Sequence, residues 1–234
     1  MKNLNTLVSL LLILLAGAYT SLAQENPYSV GLRYGYSLPM GQFASHKYGY
    51  GAYALLGSSF SAEGIRYFRN GLGVGANFSM SYYQIASGYF LEDMNQDTTN
   101  TTTEYLFLRS DPYEVKCLNA GVYYSVLIFK RFNASFKGTG GVCWAKSPYQ
   151  FYTGQYLIGD LFHIVTPAKS TRFTYQVGAT INYKLFDHVV LLLESEFTYA
   201  EAKFTFWKNG GTTRDIQFIR MPLFKLQPGL NITF

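Results

Sequence analysis

The amino-acid sequence predicts an all-β fold, in which eight antiparallel strands close into an up-and-down transmembrane β-barrel. Three observations predict it. Apolar residues alternate with small or polar ones in segment after segment, which is the two-residue period of a strand. Short and long connections alternate along the chain, as in barrels that cross a membrane. Aromatic residues make up 18% of the chain and charged residues only 14%, whereas a soluble domain usually carries about 25% charged residues.

The first 23 residues have the pattern of a secretory signal peptide. Lys2 supplies the positive charge, residues 7–18 form an apolar run, and Ser21 and Ala23 form the small-x-small pattern before the cleavage site. The run is shorter than the roughly 20 residues that a membrane-spanning helix needs, which disfavours an uncleaved anchor. We therefore predict a cleaved signal peptide at residues 1–23 and a barrel domain at residues 24–234.

The segment GLGVGANFSMSY at residues 71–82 shows the strand pattern most clearly. Every second residue is apolar, and the residues between them are glycine, serine or asparagine. A strand with one face in water usually carries larger polar side chains on that face. We predict that the apolar side chains face lipid and the small ones face a narrow lumen. Six more segments alternate in the same way, at residues 28–37, 118–125, 134–144, 173–184, 189–202 and 223–234.

The eighth strand is predicted at residues 51–68, where the alternation is irregular and a bulge near Glu63 or Gly64 is expected. No segment has the pattern of an amphipathic helix. Short connections are predicted at residues 69–71, 130–133 and 186–188, and long ones at residues 38–49, 84–112, 148–170 and about 206–215. This order places every short turn at one end of a barrel, whereas a soluble sandwich or lipocalin-like barrel has no reason to collect its long loops at one end.

Charged residues also occur at inward positions of the predicted strands. The inward charges are Arg33, Lys137, Lys184, Glu194, Glu196 and Lys225. The interior of an eight-stranded barrel is just wide enough to be filled by side chains, and isolated charges buried there would be costly. We expect these residues to pair as a polar network that plugs the lumen. The alternative use of such charges is a gated ion path or a proton relay.

Two cysteines, Cys117 and Cys143, lie on the predicted fourth and fifth strands. They have inward parity and are nearly equidistant from the turn at residues 130–133. Export permits a disulfide between them, but a register shift of one residue would separate them beyond the Cα distance of about 7 Å that a disulfide tolerates. The bonded and free states both stay open here. The sequence has no CxxC motif and no Cys/His set with metal-ligand spacing, so no metal or cofactor is predicted.

The last eight residues, QPGLNITF, resemble the C-terminal β-signal of Gram-negative outer-membrane proteins. Gln227, Gly229, Ile232 and Phe234 fill its polar, glycine, apolar and aromatic positions. The resemblance implies insertion by the barrel-assembly machinery. The chain after the signal peptide also resembles the small barrels of the OmpA β-domain and OmpX group, and GYSLPMGQF at residues 35–43 resembles the first hairpin of Bacteroidetes-type outer-membrane β-barrel domains. These resemblances imply a place in the cell outer membrane, in contact with its lipid and lipopolysaccharide.

The expected function is structural or interactive. We expect a monomer that supports the envelope, or whose outer loops serve adhesion, secretion-system assembly or another protein partner. The net charge is +5, but Lys and Arg are scattered without a basic stripe, so nucleic acid is not expected as a partner.

A narrow channel and a lipid A-modifying enzyme are the alternatives. Lipid A-modifying barrels resemble this architecture and use a His with a Ser and an acidic residue. His46 follows Ser45, His163 comes shortly after Asp160, and His188 lies in a short turn. The sequence matches no motif of such an enzyme, so we predict no enzymatic activity and no catalytic residue.

Overall fold

The computed structural model describes residues 27–96, 105–154, 162–208 and 213–234. The predicted signal peptide lies outside these residues. The described part contains two short helices, α1 (Gly41–Ala44) and α2 (Ser87–Gln96). Neither is long or apolar enough to cross a membrane. Its strands are β1 (Tyr28–Pro39), β2 (Gly57–Tyr67), β3 (Leu72–Tyr83), β4 (Tyr105–Ser110), β5 (Tyr113–Phe129), β6 (Phe132–Lys146), β7 (Gln150–Gly154), β8 (Phe162–Val165), β9 (Lys169–Lys184), β10 (Val189–Lys208) and β11 (Thr213–Thr233).

Eight of the strands form a closed barrel in the order β1-β11-β10-β9-β6-β5-β3-β2. All neighbours are antiparallel, and β1 pairs with both β2 and β11. Closure therefore leaves no unpaired edge, which a strand in lipid could not tolerate. The predicted eight-stranded up-and-down transmembrane barrel is confirmed.

The two-residue period sorts the side chains as the sequence predicts. On β3, Leu72, Val74 and Phe78 are exposed on the outside, whereas Asn77 and Ser79 are buried inside. The same outer surface carries large apolar side chains all around the barrel. Tyr34 is 65% exposed and Phe173 is 70% exposed, for example. An apolar surface of this extent on a strand barrel matches the lipid-facing band of a membrane barrel.

Inward glycines let neighbouring strands approach closely. A Cβ added to Gly35 would lie 2.2 Å from the carbonyl oxygen of Leu226 on the adjacent strand. A Cβ on Gly75 would lie 2.5 Å from the carbonyl oxygen of Gly64. Glycine therefore permits the tight curvature that closes a small barrel.

The connections divide the barrel into two ends. The turn end carries the short connections at residues 68–71, 130–131 and 185–188, together with residues 27 and 234. The loop end carries the longer connections at residues 40–56, 84–112 and 147–168. The described residues of these connections have more regular structure than the sequence suggests, because they contain both helices and a three-stranded sheet of β4, β7 and β8. The expectation of no helix was wrong there.

Two further predictions about the strands were wrong. The long connection expected at about residues 206–215 is largely replaced by strand, because β10 and β11 stay paired as far as Lys208 and Thr213. The β-favouring residues of both strands continue the ladder beyond the rest of the wall. The bulge expected in β2 is also absent, since β2 pairs with β1 and β3 without a register shift. The alternation is obscured there because Ile65 and Tyr67 are apolar yet face the lumen.

Candidate functional site

The half of the lumen nearest the turn end is filled by six charged side chains, which we call the salt-bridge network. Its members are Arg33, Glu63, Lys137, Glu194, Glu196 and Lys225. In every one of them the side chain is at most 3% exposed. They project from five strands, β1, β2, β6, β10 and β11. Because β6 lies opposite β1 in the barrel, the network spans the whole interior.

Lys137 is the centre of the network. Its Nζ contacts all three carboxylates, at 3.3 Å for Glu63 Oε2, 2.5 Å for Glu196 Oε2 and closer still for Glu194. Arg33 bridges Glu63 and Glu194, with 2.5 Å between its Nε and Glu194 Oε2. Three cations thus meet three carboxylates, so the buried cluster is neutral and each charge has a partner of opposite sign.

Neutral groups complete the network. Lys225 Nζ lies 2.9 Å from Glu196 Oε1 and donates to Ser79 Oγ at 3.1 Å. The Tyr123 hydroxyl donates to Glu63 Oε2 at 2.9 Å. The side chains around the network leave a cavity of about 10 Å³. This cavity has room for a single water molecule.

The structure brings together five of the six inward charges that the sequence singles out. Lys184 is not among them. It lies at the turn end, where its side chain is 40% exposed and pairs with Asp187 in the adjacent turn. Strand parity fixes the side of the wall but not the depth along it, which is why Lys184 was misplaced. Sequence reasoning missed Glu63, although its alternation with Ser59 and Ser61 on β2 was a usable signal.

The residues of the C-terminal β-signal lie on β11 beside β1, except Phe234, which directly follows the strand. Gln227 faces inward, accepts a hydrogen bond from Ser61 Oγ and donates one to the Ser59 carbonyl, each at 2.9 Å. Gly229 leaves room for Arg33, whose Cγ would lie 2.7 Å from an added Cβ. Ile232 and Phe234 point outward and are 56% and 58% exposed.

The half of the lumen nearest the loop end is apolar, and we call this cluster the apolar plug. Its members include Phe43, Tyr83, Tyr113, Val115, Ala145, Ala200, Ala202, Phe204, Met221 and Leu223. Phe43 enters from helix α1 and is fully buried. Its ring meets the rings of Tyr83 and Tyr113 edge-on, with centroids 5.1 Å away in both cases. The first long connection therefore closes the loop end of the lumen by inserting Phe43. The sequence did not predict this closure.

Cys117 and Cys143 lie where the salt-bridge network meets the apolar plug. They are register partners on β5 and β6. Both face inward with 1% and 2% exposure, and their Sγ atoms are 2.8 Å apart. The structure records both as free thiols. Among the described residues no cluster of three or more His, Cys, Asp and Glu could hold a metal ion.

Aromatic residues of two long connections form an ordered outer surface, which we call the loop face. It consists of His46, Tyr50, Tyr53, Tyr89, Phe90 and Asp93. The imidazole of His46 stacks between the rings of Tyr53 and Tyr89, with centroid distances of 5.5 Å and 5.0 Å. The Tyr53 hydroxyl donates to Asp93 Oδ2 at 2.6 Å. Burial and this hydrogen bond both raise the pKa of Tyr53.

Hydrogen bonds between the Gln42 side chain and the backbone of β11 hold the first long connection on the barrel. Gln42 donates to the Phe218 carbonyl at 3.1 Å and accepts from the Arg220 amide at 3.0 Å, which joins the first long connection to β11. Tyr53 has a φ of 55°, a conformation uncommon for a residue with a side chain. An open groove of about 570 Å³ lies beside this surface, between Leu55 and the first turn of α2.

The described histidines do not assemble with serine and acidic partners. His46 stacks on the rings of Tyr53 and Tyr89, and His188 Nδ1 lies 2.9 Å from the Thr233 carbonyl oxygen at the turn end. Asp160 and the side chain of His163 lie outside the described part of the chain.

Comparison with known proteins gives a fold without a named family. No family model matches the sequence, and no curated protein matches it. Solved structures do match. A major outer membrane protein from Thermus thermophilus aligns with a TM-score of 0.51 at 13% identity, over 90% of this chain and 100% of that one.

Two further structures are similar at lower scores. The attachment invasion locus protein Ail of Yersinia pestis has a TM-score of 0.47 and 14% identity, over 90% of this chain and 100% of that one. OprG of Pseudomonas aeruginosa has a TM-score of 0.46 and 10% identity, over 92% and 99%. At such identities a structural match concerns the fold alone. The match to the Thermus thermophilus protein therefore shows that this chain has the β-barrel fold of an outer-membrane protein.

Proposed function

We propose that this protein is a monomeric barrel of the cell outer membrane that acts through its loop face. In this proposal the loop face binds a protein partner, in adhesion or in an assembly at the cell surface, and the barrel supports the envelope. The proposal assigns it neither solute conduction nor catalysis. The observation that carries it is the closure of the lumen at two successive levels.

The two levels block the lumen by different means. The salt-bridge network holds its charges against one another across the full width of the barrel, and an ion that passed would have to break several buried pairs. The apolar plug then excludes water and ions from the half nearest the loops, with Phe43 at its centre. Only the outer surfaces of such a barrel are then available for binding.

The loop face is suited to binding because two of its tyrosines are well exposed and the ring of one of them is restrained by a stack. Tyr89 is 61% exposed and Tyr50 is 54% exposed, while the stack through His46 restrains the Tyr89 ring. Rigid tyrosines supply contact area at a low cost in conformational entropy. This supports a protein partner at the outer loops.

The outer wall supports the other proposed partners, which are membrane lipid, lipopolysaccharide and the barrel-assembly machinery. The exposed apolar side chains of the wall would contact membrane lipid and, at the loop end, lipopolysaccharide. Ile232 and Phe234 are exposed on the outer surface at the end of the chain. The barrel-assembly machinery would contact them there during insertion.

A deletion strain of the native bacterium tests the proposal. Attachment of cells to a protein-coated surface and entry of a hydrophobic dye are measured after complementation with the wild-type chain, with H46A/Y89A and with R69A. Arg69 is exposed at the turn end and serves as the control. We expect wild type and R69A to restore both attachment and dye exclusion, and H46A/Y89A to restore dye exclusion but not attachment. Rescue of attachment by H46A/Y89A, or no defect on deletion, would overturn the proposal.

Two measurements address the alternatives directly. Purified protein in planar bilayers should show no discrete conductance, and reproducible unitary steps would favour a channel. Mass spectra of lipid A should be the same in the deletion strain and its parent, and an altered acyl pattern would favour a lipid A-modifying enzyme.

A further inference from the structure

The two cysteines of the barrel wall are placed as a cross-strand pair. Cys117 and Cys143 are direct register partners on neighbouring antiparallel strands. Directly opposite residues in such a pair have Cα atoms about 4.5 to 5.5 Å apart, inside the range of about 4.4 to 6.8 Å that disulfides use. Their Sγ atoms already approach to 2.8 Å. No backbone movement is needed to join them.

Besides each other, the thiols have mainly apolar neighbours and one serine hydroxyl. Toward the loop end the next inward residues on the two strands are Val115 and Ala145, both buried and apolar. On the other side of β5 the register partner of Cys117 is Ser79, whose hydroxyl accepts a hydrogen bond from Lys225 and also hydrogen-bonds to Cys117. A metal site would need more donors than two thiolates, and the described residues supply no third one.

We propose that Cys117 and Cys143 form an intramolecular disulfide in the mature protein. The inference rests on the export to the cell envelope proposed above, because that compartment is oxidising. In the reaction both S–H bonds break and one S–S bond forms. The two protons and two electrons pass to the disulfide of a periplasmic thiol oxidant, whose S–S bond breaks to give its dithiol form.

The burial of both thiols fixes the order of events. With 1% and 2% exposure in the closed barrel, neither sulfur is accessible to an oxidant protein once the strands have closed. Oxidation therefore precedes closure, on the exported chain while the hairpin of β5 and β6 is still open. The bond then holds that hairpin in register at the level where the salt-bridge network meets the apolar plug.

The test uses full-length protein recovered from the outer-membrane fraction of cells grown without reductant. The protein is denatured in a thiol-alkylating reagent, with and without prior reduction, and analysed by mass spectrometry. We expect no alkylation without reduction, two added alkyl groups after reduction, and a linked peptide pair containing both cysteines. Alkylation of both cysteines without reduction, or a disulfide-linked dimer on a non-reducing gel, would overturn the proposal.

A matched variant tests the dependence on register. In C143S/A145C the second thiol moves by two residues on the same inward face, so that it becomes a diagonal neighbour at about 7 to 8 Å. This variant keeps two buried thiols, and we expect it to be alkylated mostly without reduction. Equal bonding in this variant and in wild type would contradict the register argument.

Two further measurements separate the possible failures. C117S/C143S should still show heat-modifiable migration, which establishes that the barrel folds without the cysteines. Wild-type protein found in the membrane fraction with two free thiols would refute the disulfide alone. Recovery of the wild-type chain in the cytoplasm would refute the proposed export and, with it, this inference.

Discussion

The two halves of the lumen are closed by opposite chemistry. Nearest the turn end, three cations and three carboxylates lock together across the barrel. Nearest the loop end, alanines and larger apolar side chains pack around Phe43. The first half is closed by wall residues alone, whereas the second needs a side chain from a long connection. The charged half can therefore close without the outer loops, whereas the apolar half depends on the first long connection for Phe43.

The same difference governs how each half should respond to mutation. Removing one member of a neutral buried network leaves an uncompensated charge, which is more costly than the loss of the contact itself. Removing an apolar side chain leaves a cavity, whose cost depends on how far the neighbours relax. Substitutions in the salt-bridge network should therefore destabilise the whole barrel, whereas substitutions in the apolar plug should destabilise mainly the connection that contributes to it.

The largest effect is expected for Lys137→Met, which leaves three buried carboxylates facing two cations. We expect the free energy of unfolding to fall by about 3 to 5 kcal/mol. Urea unfolding of the barrel in lipid vesicles, followed by tryptophan fluorescence and by migration on gels, measures this change.

The matched control is Lys184→Met, which removes the same side chain from an exposed pair at the turn end. Its effect should be at most about 0.5 kcal/mol. Adding Glu194→Met to Lys137→Met restores a balance of two cations and two carboxylates and should recover part of the loss. Equal effects of the two lysine substitutions would contradict the assignment of Lys137 to a buried network.

The second effect is expected for Phe43→Ala in the apolar plug. Full burial of the ring predicts a loss of about 3 kcal/mol, and we expect it in the opening of residues 40–56 rather than in unfolding of the wall. Hydrogen exchange of the Ala54 amide, which donates to the Phe43 carbonyl at 3.0 Å, reports that opening. Met40→Ala, at a site 38% exposed, should leave the exchange rate nearly unchanged. Global destabilisation by Phe43→Ala would show that the plug and the wall are one cooperative unit.

The sequence predicts the charged half of the lumen better than the apolar half, for physical reasons. A charge at an inward position of an alternating strand has few alternatives to pairing, so Arg33, Lys137 and Lys225 could be found from parity alone. Inward apolar residues such as Met221 and Leu223 break the alternation and look like core or lipid-facing residues. The insertion of Phe43 depends on tertiary contacts that no local pattern contains.

A third effect concerns the close approach of strands in the wall. Gly35→Ala places a Cβ 2.2 Å from the Leu226 carbonyl oxygen, so the backbone of β1 or β11 must shift. We expect a loss of about 1 to 3 kcal/mol from overpacking, measured by the same urea unfolding. Gly64→Ala is the control, because an added Cβ there has open space and a strand alanine costs less entropy than glycine. A loss as large at Gly64 would mean that the contact with the Leu226 carbonyl oxygen does not account for the loss at Gly35.

The smallest effect is expected on the loop face, for Tyr53→Phe. The variant loses the hydrogen bond to Asp93 Oδ2, and we expect the first long connection to lose about 1 kcal/mol of local stability. Burial and that bond raise the pKa of Tyr53. The stabilisation is therefore fully present below about pH 10, the ordinary tyrosine value, and is lost as the pH rises through the raised pKa.

Hydrogen exchange at the Ala54 amide between pH 7 and the alkaline range compares the wild type with this variant. Tyr50→Phe is the control, since the Tyr50 ring is 54% exposed, and it should match wild type at every pH. A wild-type advantage that disappears well below pH 10 would mean that a group other than the Tyr53 hydroxyl holds the loop face. No wild-type advantage at any pH would mean instead that the ring stack through His46 and the Gln42 contacts hold the loop face.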